Sequence, residues 1–189
     1  FESIHPCHDG NVRIGRILCV LYLVRTELLD APVLYLSRYI NQHKSAYYRL
    51  LQDVRDKAAA IAEDAAAYEA SWQAWVIFML QAVAQVAQQA VRLVSDMRDL
   101  MTSTKQRMRT ELPKTYSQDL LNNLFRHPYT RIEFVQNDLG VTRQTAARYL
   151  RQLAEVGLVH EHSQGNHVYF INTPLVALLA QGEQTLGLA

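Results

Sequence analysis

The stretch "VTRQTAARYLRQLAEVG", residues 141–157, contains the start, the buried face and the end of one short helix. Thr142 is a favourable N-cap and Gly157 a favourable residue just past the last turn, so the helix is predicted between them. Apolar and small residues recur there at the spacing of a helix that buries one side. Those on the inward side are Ala146, Tyr149, Leu150 and Leu153.

Two shorter helices are predicted just before this one. The first lies in "SQDLLNNLFRHP", residues 117–128, and is stopped by Pro128. The second lies in "RIEFVQNDLG", residues 131–140, and is closed by Gly140. Because Gly140 and Thr142 leave room only for a tight turn, the second and third helices are predicted to form a helix-turn-helix.

A β-hairpin is predicted directly after the third helix. The segments "LVHEH" and "HVYFIN", residues 158–162 and 167–172, are joined by the turn sequence "SQGN". Leu158, Val168 and Phe170 are predicted to point inward from this hairpin. The order helix, helix, tight turn, helix, hairpin predicts a winged helix-turn-helix.

The outward side of the third helix carries one amide and three guanidinium groups, which belong to Arg143, Gln144, Arg148 and Arg151. Arg and Gln near a helix N-terminus reach base edges in a major groove, so DNA is a predicted partner. Few cations face outward, and Glu155, Glu161 and Asp138 dilute them, which predicts weak, salt-sensitive binding. The alternative is a winged helix that docks a protein or dimerises. Three histidines of the hairpin are expected to be solvated, namely His160, His162 and His167.

The whole-chain composition is that of an ordinary soluble protein. The 189 residues carry a formal net charge of +1, with 49% hydrophobic and 20% charged residues. A charge this small excludes nucleic-acid binding by overall charge, so any such role needs a local patch. No membrane partner is predicted, because no apolar run has the length of a membrane span. Cys7 and Cys19 are predicted to be reduced thiols of a cytoplasmic protein.

The first predicted helix begins near Arg13 or Ile14. Apolar residues follow at helical spacing and predict that one stripe of the helix is buried. They are Ile14, Ile17, Leu18, Leu21, Val24 and Leu28.

Three further helices are predicted before Pro113. They cover residues 33–41, the segment after Ser45, and residues 72 to about 101. Ser71 is predicted to cap the long helix that covers residues 72 to about 101. The apolar stripe of this long helix faces either the core or a second copy of the chain in a homodimer. Because Pro113 marks a linker, the predicted domains are 1–110 and 111–189.

The stretch "HPCHDGNVRIGR", residues 5–16, places polar residues at the start of the first helix. Unpaired backbone N–H groups at a helix N-terminus bind anions, and Gly10 and Asn11 lie where those amides begin. Arg13 and Arg16 are three residues apart, which puts both guanidinium groups on one side of the first turn. Two arginines beside an anion-binding turn indicate a di- or triphosphate ligand.

Two further residues of this stretch supply the chemistry of phosphate transfer. Asp9 carries a hard oxygen ligand suited to Mg²⁺ that bridges phosphates. His5 is placed to take a proton from an attacking hydroxyl. With the amides and arginines, they predict a phosphoryl- or nucleotidyl-transfer site. The alternative is a metal cluster of His5, His8 and Asp9, which has fewer ligands than a zinc site uses.

These residues resemble the signature of the Fic family, H-P-F-x-[D/E]-G-N-G-R-x-x-R. Seven fall on the family's positions, namely His5, Pro6, Asp9, Gly10, Asn11, Arg13 and Arg16. The stretch "LYLSRYINQHKSAYYRLLQDVR", residues 34–55, also resembles the helices that follow the motif in larger bacterial members. The resemblance covers residues 1–105, the C-terminal half of a Fic domain. It implies a mainly α fold, a Fic-type helical bundle core followed by a winged helix-turn-helix with a short β-hairpin wing.

The resemblance implies a protein adenylyltransferase that transfers AMP from ATP–Mg²⁺ to a hydroxyl side chain of an unidentified target protein. By position, His5 deprotonates that hydroxyl and Asp9 holds Mg²⁺ on the phosphates. The phosphate-binding residues that it implies are Gly10, Asn11, Val12, Arg13 and Arg16. Among these, Val12 contributes its backbone amide, and the two arginines contact the outer phosphates.

Two positions depart from the family pattern. Cys7 replaces Phe, which leaves core volume unfilled at a cost of about 2–4 kcal/mol. Val12 replaces Gly, where a β-branched side chain crowds the phosphate and is strained if φ is positive. Because Phe1 lies just before the motif, a fragment without the front half of a Fic domain is expected. Weakened nucleotide binding is predicted, and the alternative function is a non-catalytic DNA-binding or docking regulator with a degenerate Fic core.

Overall fold

The structure, a computed structural model, describes residues 1, 4–165 and 167–184, the last four by backbone alone. In that part the chain forms eight helices and three short strands. In chain order they are α1 (Asn11–Arg25), α2 (Leu36–Gln42), α3 (Lys44–Ala59), α4 (Ala65–Glu111), α5 (Gln118–Arg126), β1 (Tyr129–Thr130), α6 (Ile132–Leu139), α7 (Arg143–Glu155), β2 (His160–Gln164), β3 (His167–Ile171) and α8 (Thr173–Gln184). The prediction of a mainly helical chain with a small sheet near the C-terminus is confirmed.

The chain separates into two compact units, residues 1–91 and 92–189. Unit 1 holds α1 to α3 and the first part of α4, and unit 2 holds the rest of α4 and all later elements. The domain boundary predicted after residue 110 stays a prediction.

The core of unit 1 lies where α2, α3 and the N-terminal part of α4 meet. Its buried residues are Leu34, Leu36, Tyr39, Ile40, Tyr47, Phe78, Ala82 and Val86. The ring of Phe78 packs against Tyr39 and Tyr47, with centroid distances of 5.4 and 6.3 Å. α1 rests on this cluster through side chains that include Val12 and Val20, and this contact positions the start of α1.

The apolar stripe predicted to be buried on α1 is largely exposed, which corrects the prediction. Its exposed members are Ile17, Leu18, Leu21 and Leu28. The fully buried positions of α1 are Asn11 and Gly15. Because α1 carries apolar residues on more than one side, periodicity alone does not identify the side that packs. The exposed side lines an open apolar cavity of about 700 Å³ together with Trp72, Val76 and Leu80 of α4.

α4 is longer than the predicted helix from Trp72 to about Met101, because the alanine-rich segment before it continues the helix to Ala65–Glu111. Ser71 is not the cap that was predicted, since its hydroxyl donates to the carbonyl oxygen of Tyr68 at 2.7 Å inside the helix. Among the described helices, α4 is long and apolar enough to cross a membrane by length and composition, a test that core helices of soluble proteins also pass. This differs from the sequence prediction that no apolar run has the length of a membrane span.

Unit 2 has the predicted order of a winged helix-turn-helix. The hydroxyls of Ser117 and Thr142 cap α5 and α7 by accepting the N–H groups of Leu120 and Thr145 at 3.1 and 3.3 Å. Gly140 closes α6 in the left-handed conformation, with a φ of 63°. The predicted cap at Thr142 and the predicted stop at Gly140 are therefore confirmed.

The sheet of unit 2 has the order β1-β3-β2, and all pairs are antiparallel. β2 and β3 are the predicted hairpin, whereas β1 and α8 were not predicted. Leu158 and Phe170 are buried in the core of unit 2, as expected from their alternation. The other buried residues of that core are Met108, Leu120, Leu121, Leu124, Val135, Ala146, Leu150, Leu153 and Val159.

Candidate functional site

The stretch 5–16 folds as a loop that leads into the N-terminus of α1. Gly10 is the N-cap and has a left-handed backbone, with φ 78° and ψ 9°, which glycine adopts at little cost. The first hydrogen bond of the helix is donated by the N–H of Ile14 to the carbonyl of Gly10, at 2.9 Å. The amides of residues 11–13 therefore precede the hydrogen-bonded turns, at the positive end of the helix dipole. α1 has no side-chain cap, so its first turn is the kind of helix start that binds anions.

Asn11 closes this loop through its side chain. The residue is 2% exposed, and its Oδ1 accepts the N–H of Cys7 at 2.9 Å while its Nδ2 donates to the carbonyl of Cys7 at 2.5 Å. Since both polar atoms of the amide are used inside the loop, the group that Asn11 presents to an anion is its backbone N–H. Cys7 takes part through its backbone and lies half-buried.

Val12 lies in the first turn of α1, and its side chain packs against the core cluster of unit 1. Among the described non-glycine residues, a positive φ occurs at His5 and Glu27 and not at Val12. The strain expected from a β-branched residue at this position is therefore absent, because the helix gives Val12 an ordinary backbone. Crowding of the phosphate is not expected either, since the isopropyl group is turned to the core.

Asp9 and Arg13 lie one helical turn apart at the mouth of the loop. Asp9 Oδ1 accepts the N–H of Gly10 at 2.6 Å, and Oδ2 lies 3.9 Å from Arg13 Nη2. The two side chains are 90% and 78% exposed, and such an exposed pair contributes at most about 1 kcal/mol. Both side chains can therefore turn toward a ligand at little cost.

The side chain of Arg16 contacts α2 and α3, whereas that of Arg13 lies beside Asp9. Its Nη1 donates to Asn41 Oδ1 at 3.5 Å, and its guanidinium carbon lies 5.5 Å from the centroid of the Tyr47 ring. Its Nε is buried without a hydrogen-bond partner. Arg16 thus contacts α2 and α3, and its predicted role at the outer phosphates stays a prediction. Asn41 and Tyr47 were not predicted, because only packing of α2 and α3 brings them to Arg16.

His5 is exposed and has a left-handed backbone, with a φ of 55°. Its N–H donates to the carbonyl of Phe1 at 3.1 Å. Such conformations are uncommon outside glycine and cluster at functional sites. The catalytic role predicted for the His5 ring stays a prediction. The metal cluster considered for His5, His8 and Asp9 has no support, since no group of three or more potential ligands occurs among the described residues.

A second candidate site lies on the outward side of α7. An open cavity of about 570 Å³ is lined by the four predicted residues, Arg143, Gln144, Arg148 and Arg151, and we call it the α7 groove. All four are exposed. Ile132 and Glu155 also line the groove, and Glu155 is its acidic residue. The predicted cluster is therefore one continuous surface.

Contacts behind α7 hold this surface in place, and the sequence did not predict them. Arg107 Nη2 donates to the carbonyl of Val156 at 2.7 Å, just past the end of α7. Thr115 donates to Gln152 at 2.6 Å. Arg107 also pairs with Glu111. The hydrogen bond from Arg107 lowers the pKa of the Glu111 carboxyl, and the positive charge of Arg107 acts in the same direction, whereas slight burial acts in the opposite one.

The chain is similar to one known family over its C-terminal part. Residues 100–175 match the family described as protein adenylyltransferase SoFic-like, C-terminal domain. The match includes the end of α4 and all elements from α5 to β3.

Proposed function

We propose that unit 1 transfers AMP from ATP to a hydroxyl side chain of another protein, since residues 100–175 match the C-terminal domain of the SoFic-like protein adenylyltransferases of the Fic family. The observation that carries the proposal is the start of α1, where an uncapped helix follows left-handed Gly10. Asp9 and Arg13 flank this start, and His5 precedes it by a few residues. The target protein is unidentified, and a cytoplasmic location is part of the proposal.

The proposed reaction is an in-line displacement at the α-phosphorus of ATP. The target hydroxyl oxygen forms a bond to this phosphorus, and the bond to the oxygen that bridges the α- and β-phosphates breaks. Pyrophosphate leaves with the electron pair of that bond. The imidazole of His5 takes the hydroxyl proton, which makes the oxygen a better nucleophile.

The chain's own groups stabilise the charge that develops on the phosphates. The amides of residues 11–13 donate to phosphate oxygens, and the dipole of α1 favours negative charge at the same place. Gly10 lets the backbone approach closely, since it lacks a Cβ. Arg13 pairs with the β-phosphate side once it leaves Asp9.

Asp9 fits the role of a magnesium ligand. Its carboxylate is 90% exposed, and Mg²⁺ is commonly held by one or two carboxylates together with substrate phosphates and water. Asp9 would hold the ion, and Mg²⁺ held there would neutralise phosphate charge. Asp9 has a second function in the structure, because its hydrogen bond to Gly10 fixes the turn of the loop.

Labelled AMP incorporation separates this proposal from a purely structural role of the motif. The protein is mixed with a cell lysate and α-labelled ATP–Mg²⁺, and labelled protein bands are quantified. Incorporation is expected to fall at least about a hundredfold in His5→Ala, which removes the general base. His8→Ala is the matched control, because it removes a neighbouring exposed imidazole and is expected to label normally. Equal incorporation by native protein and His5→Ala contradicts the proposal.

The α7 groove favours a second function, duplex DNA binding by unit 2. Its three exposed arginines and Gln144 lie on one side of the third helix of a helix-turn-helix, the helix that enters a major groove in proteins of this kind. A mobility shift with duplex DNA at low salt, weakening as salt is raised, is expected. Absence of a shift at low salt contradicts this function and leaves the AMP-transfer proposal intact.

A further inference from the structure

α4 carries a second apolar stripe on the side that faces away from the core of unit 1. The core side of α4 includes the buried residues Phe78, Ala82 and Val86. On the opposite side, apolar residues recur along about four turns of the helix. They are Ile77, Leu80, Ala84, Ala87 and Val91, and we call them the α4 seam. Its three large members are 46%, 62% and 70% exposed, so the seam is open to solvent in unit 1.

The α4 seam has the spacing of a coiled-coil heptad. Ile77, Ala84 and Val91 occupy the first position of successive heptads, and Leu80 and Ala87 occupy the fourth. A repeat of seven residues keeps one stripe of a helix in contact with a facing helix over several turns, which a less regular apolar pattern does not. The spacing therefore indicates that the α4 seam packs against another helix.

The absence of charge around the seam favours a second copy of this chain as the source of that helix. Residues 70–91 contain no Asp, Glu, Lys, Arg or His. Two copies carry identical charges, so a stripe of one charge repels its own counterpart, whereas an uncharged stripe does not. Gln81 and Gln88 flank the seam, and their amides both donate and accept, so they are able to pair with the same groups of another copy.

The order of side-chain sizes along the seam matches its own reverse. From Leu80 through Ala84 and Ala87 to Val91, the sizes are large, small, small and large. When two such helices pack antiparallel about a two-fold axis between the alanines, Leu80 of one copy faces Val91 of the other. In the same arrangement Ala84 of one copy faces Ala87 of the other. The alanines let the two backbones approach closely, and the large residues fill the space on either side.

The apolar surface available to a second copy extends beyond the seam. Specific dimers bury roughly 800 Å² on each partner, so a dimer needs more than a narrow stripe. Leu80 is also a wall of the open cavity of about 700 Å³, whose other walls include the exposed side chains of Leu18 and Tyr22 on α1. The seam is therefore continuous with apolar side chains of α1, which widen the surface that a second copy covers.

We propose that this chain forms a homodimer in which the α4 seams of two copies pack antiparallel, with Leu80 of each copy against Val91 of the other. Burial of the exposed seam removes apolar surface from water, which is the driving force of the contact. The reversed order of sizes and the absence of charge fix the partner as an identical copy and its direction as antiparallel. The proposal does not rest on AMP transfer and does not require the α7 groove.

The test measures the mass of the full chain in solution by sedimentation equilibrium at about 1 and about 100 μM, since dimerisation depends on concentration. The native protein is expected to approach the mass of two chains at the higher concentration. Leu80→Lys and Val91→Glu each bury an unpaired charge in both large layers of the contact. Each variant is therefore expected to weaken dimerisation at least about tenfold.

A mixture of the two variants tests the antiparallel direction. In a dimer of Leu80→Lys with Val91→Glu, the introduced lysine faces the introduced glutamate, and the other large layer keeps its leucine and valine. The equimolar mixture is therefore expected to dimerise, although each variant alone does not. Gln85→Lys is the matched control, because it adds a charge at an exposed position of α4 outside the seam and is expected to keep the native mass. Circular dichroism checks that each variant is folded.

Several results overturn the proposal. One is a native protein that stays monomeric at the higher concentration, and such a monomer that sediments with phosphatidylcholine vesicles assigns the seam to lipid. Another is native dimerisation by both Leu80→Lys and Val91→Glu, because a different surface then joins the two copies. A third is a mixture of the two variants that stays monomeric, since the seams then do not pack antiparallel. Dimerisation of the mixture by variants that are folded and monomeric alone supports the proposal.

Discussion

The side chain of Asn11 and the backbone of Cys7 are joined by two hydrogen bonds, 2.9 and 2.5 Å long. They bridge the loop that carries Asp9 and Gly10 to the start of α1. A phosphate-binding turn must be rigid before the ligand arrives, because binding energy spent on ordering it does not appear as affinity. The side chain of Asn11 therefore supports the proposed site by fixing the conformation of the loop, and it does not contact the phosphate directly.

Asn11→Ala is expected to lower the free energy of unfolding by about 1–3 kcal/mol, because it leaves the N–H and carbonyl of Cys7 without these partners. AMP incorporation is expected to fall as well, since the loop loses its preferred geometry. Denaturant unfolding and labelling measure the two effects. Asn122→Ala, at an exposed position of α5, is the matched control and is expected to change stability by less than about 0.5 kcal/mol. An Asn11→Ala protein with native stability would contradict this account of the loop.

Gly10→Ala is expected to cost about 1–2 kcal/mol of stability, because alanine is disfavoured at a φ of 78°. Space is not the cause, since the nearest atom to an added Cβ is Arg13 Nη2 at 4.0 Å. Gly140→Ala is the control, with a φ of 63° and nothing within 4 Å of its Cβ. Both variants are expected to lose stability in thermal unfolding, and Gly10→Ala alone is expected to lose AMP incorporation. Equal incorporation by the two variants would place Gly10 outside the site.

Val12→Gly is expected to lower stability without raising activity. Glycine in a helix costs about 0.3 kcal/mol relative to valine, and the contact of Val12 with the core of unit 1 is lost as well. The sequence alone favoured the opposite result, an increase in AMP incorporation on removal of the side chain. Parallel labelling of the two proteins distinguishes these expectations, and a clear rise in Val12→Gly would show that the side chain does crowd the phosphate.

The difference at Val12 shows what the sequence could and could not predict. The spacing from His5 to Arg16 predicted a loop and a helix start, and both are present, with left-handed Gly10 at the junction. The direction of the Val12 side chain depends on which side of α1 packs, and that is decided by α2, α3 and α4. For the same reason the apolar stripe of α1 was assigned to the wrong side, and Arg16 was not placed on the ring of Tyr47.

Local signals were more informative in unit 2. Thr142 and Gly140 each determine a helix end through their own backbone and side chain, so the limits of α6 and α7 follow from the sequence. β1 could not be predicted from the sequence, because its two residues form a strand only by pairing with Phe170 and Ile171, which lie about 40 residues further along the chain. The contact between the rings of Tyr129 and Tyr169 could not be predicted for the same reason, since strand pairing brings these two residues together.

Unit 2 is expected to lose stability in acid through the pair of Arg107 and Glu111. The hydrogen bond from Arg107, 2.8 Å from Nε to Oε1, lowers the pKa of the Glu111 carboxyl. A lowered folded-state pKa gives stability that is present above the ordinary glutamate pKa of about 4.3 and is lost as pH falls through the lower value. Unfolding midpoints across this range are expected to fall less steeply in Glu111→Gln than in the native protein. Glu63→Gln changes an exposed glutamate and is the control, whose unfolding midpoints are expected to follow those of the native protein across this pH range. If Glu111→Gln also followed the native midpoints, the pair of Arg107 and Glu111 would have no effect on stability.

Arg148→Ala is expected to weaken duplex binding by unit 2 and to reduce its salt dependence. Arg148 is an exposed cation of the α7 groove, and the removal of one phosphate contact lowers the slope of log affinity against log salt by about one. A base contact would instead change sequence preference and leave the slope nearly unchanged. Titrations at several salt concentrations, with two duplexes of different sequence, separate these cases. Arg98→Ala removes an exposed arginine of α4 outside the groove and is expected to keep both affinity and slope. If Arg98→Ala and Arg148→Ala weaken binding equally, the cations act through the general charge of unit 2 and the α7 groove is not the DNA site.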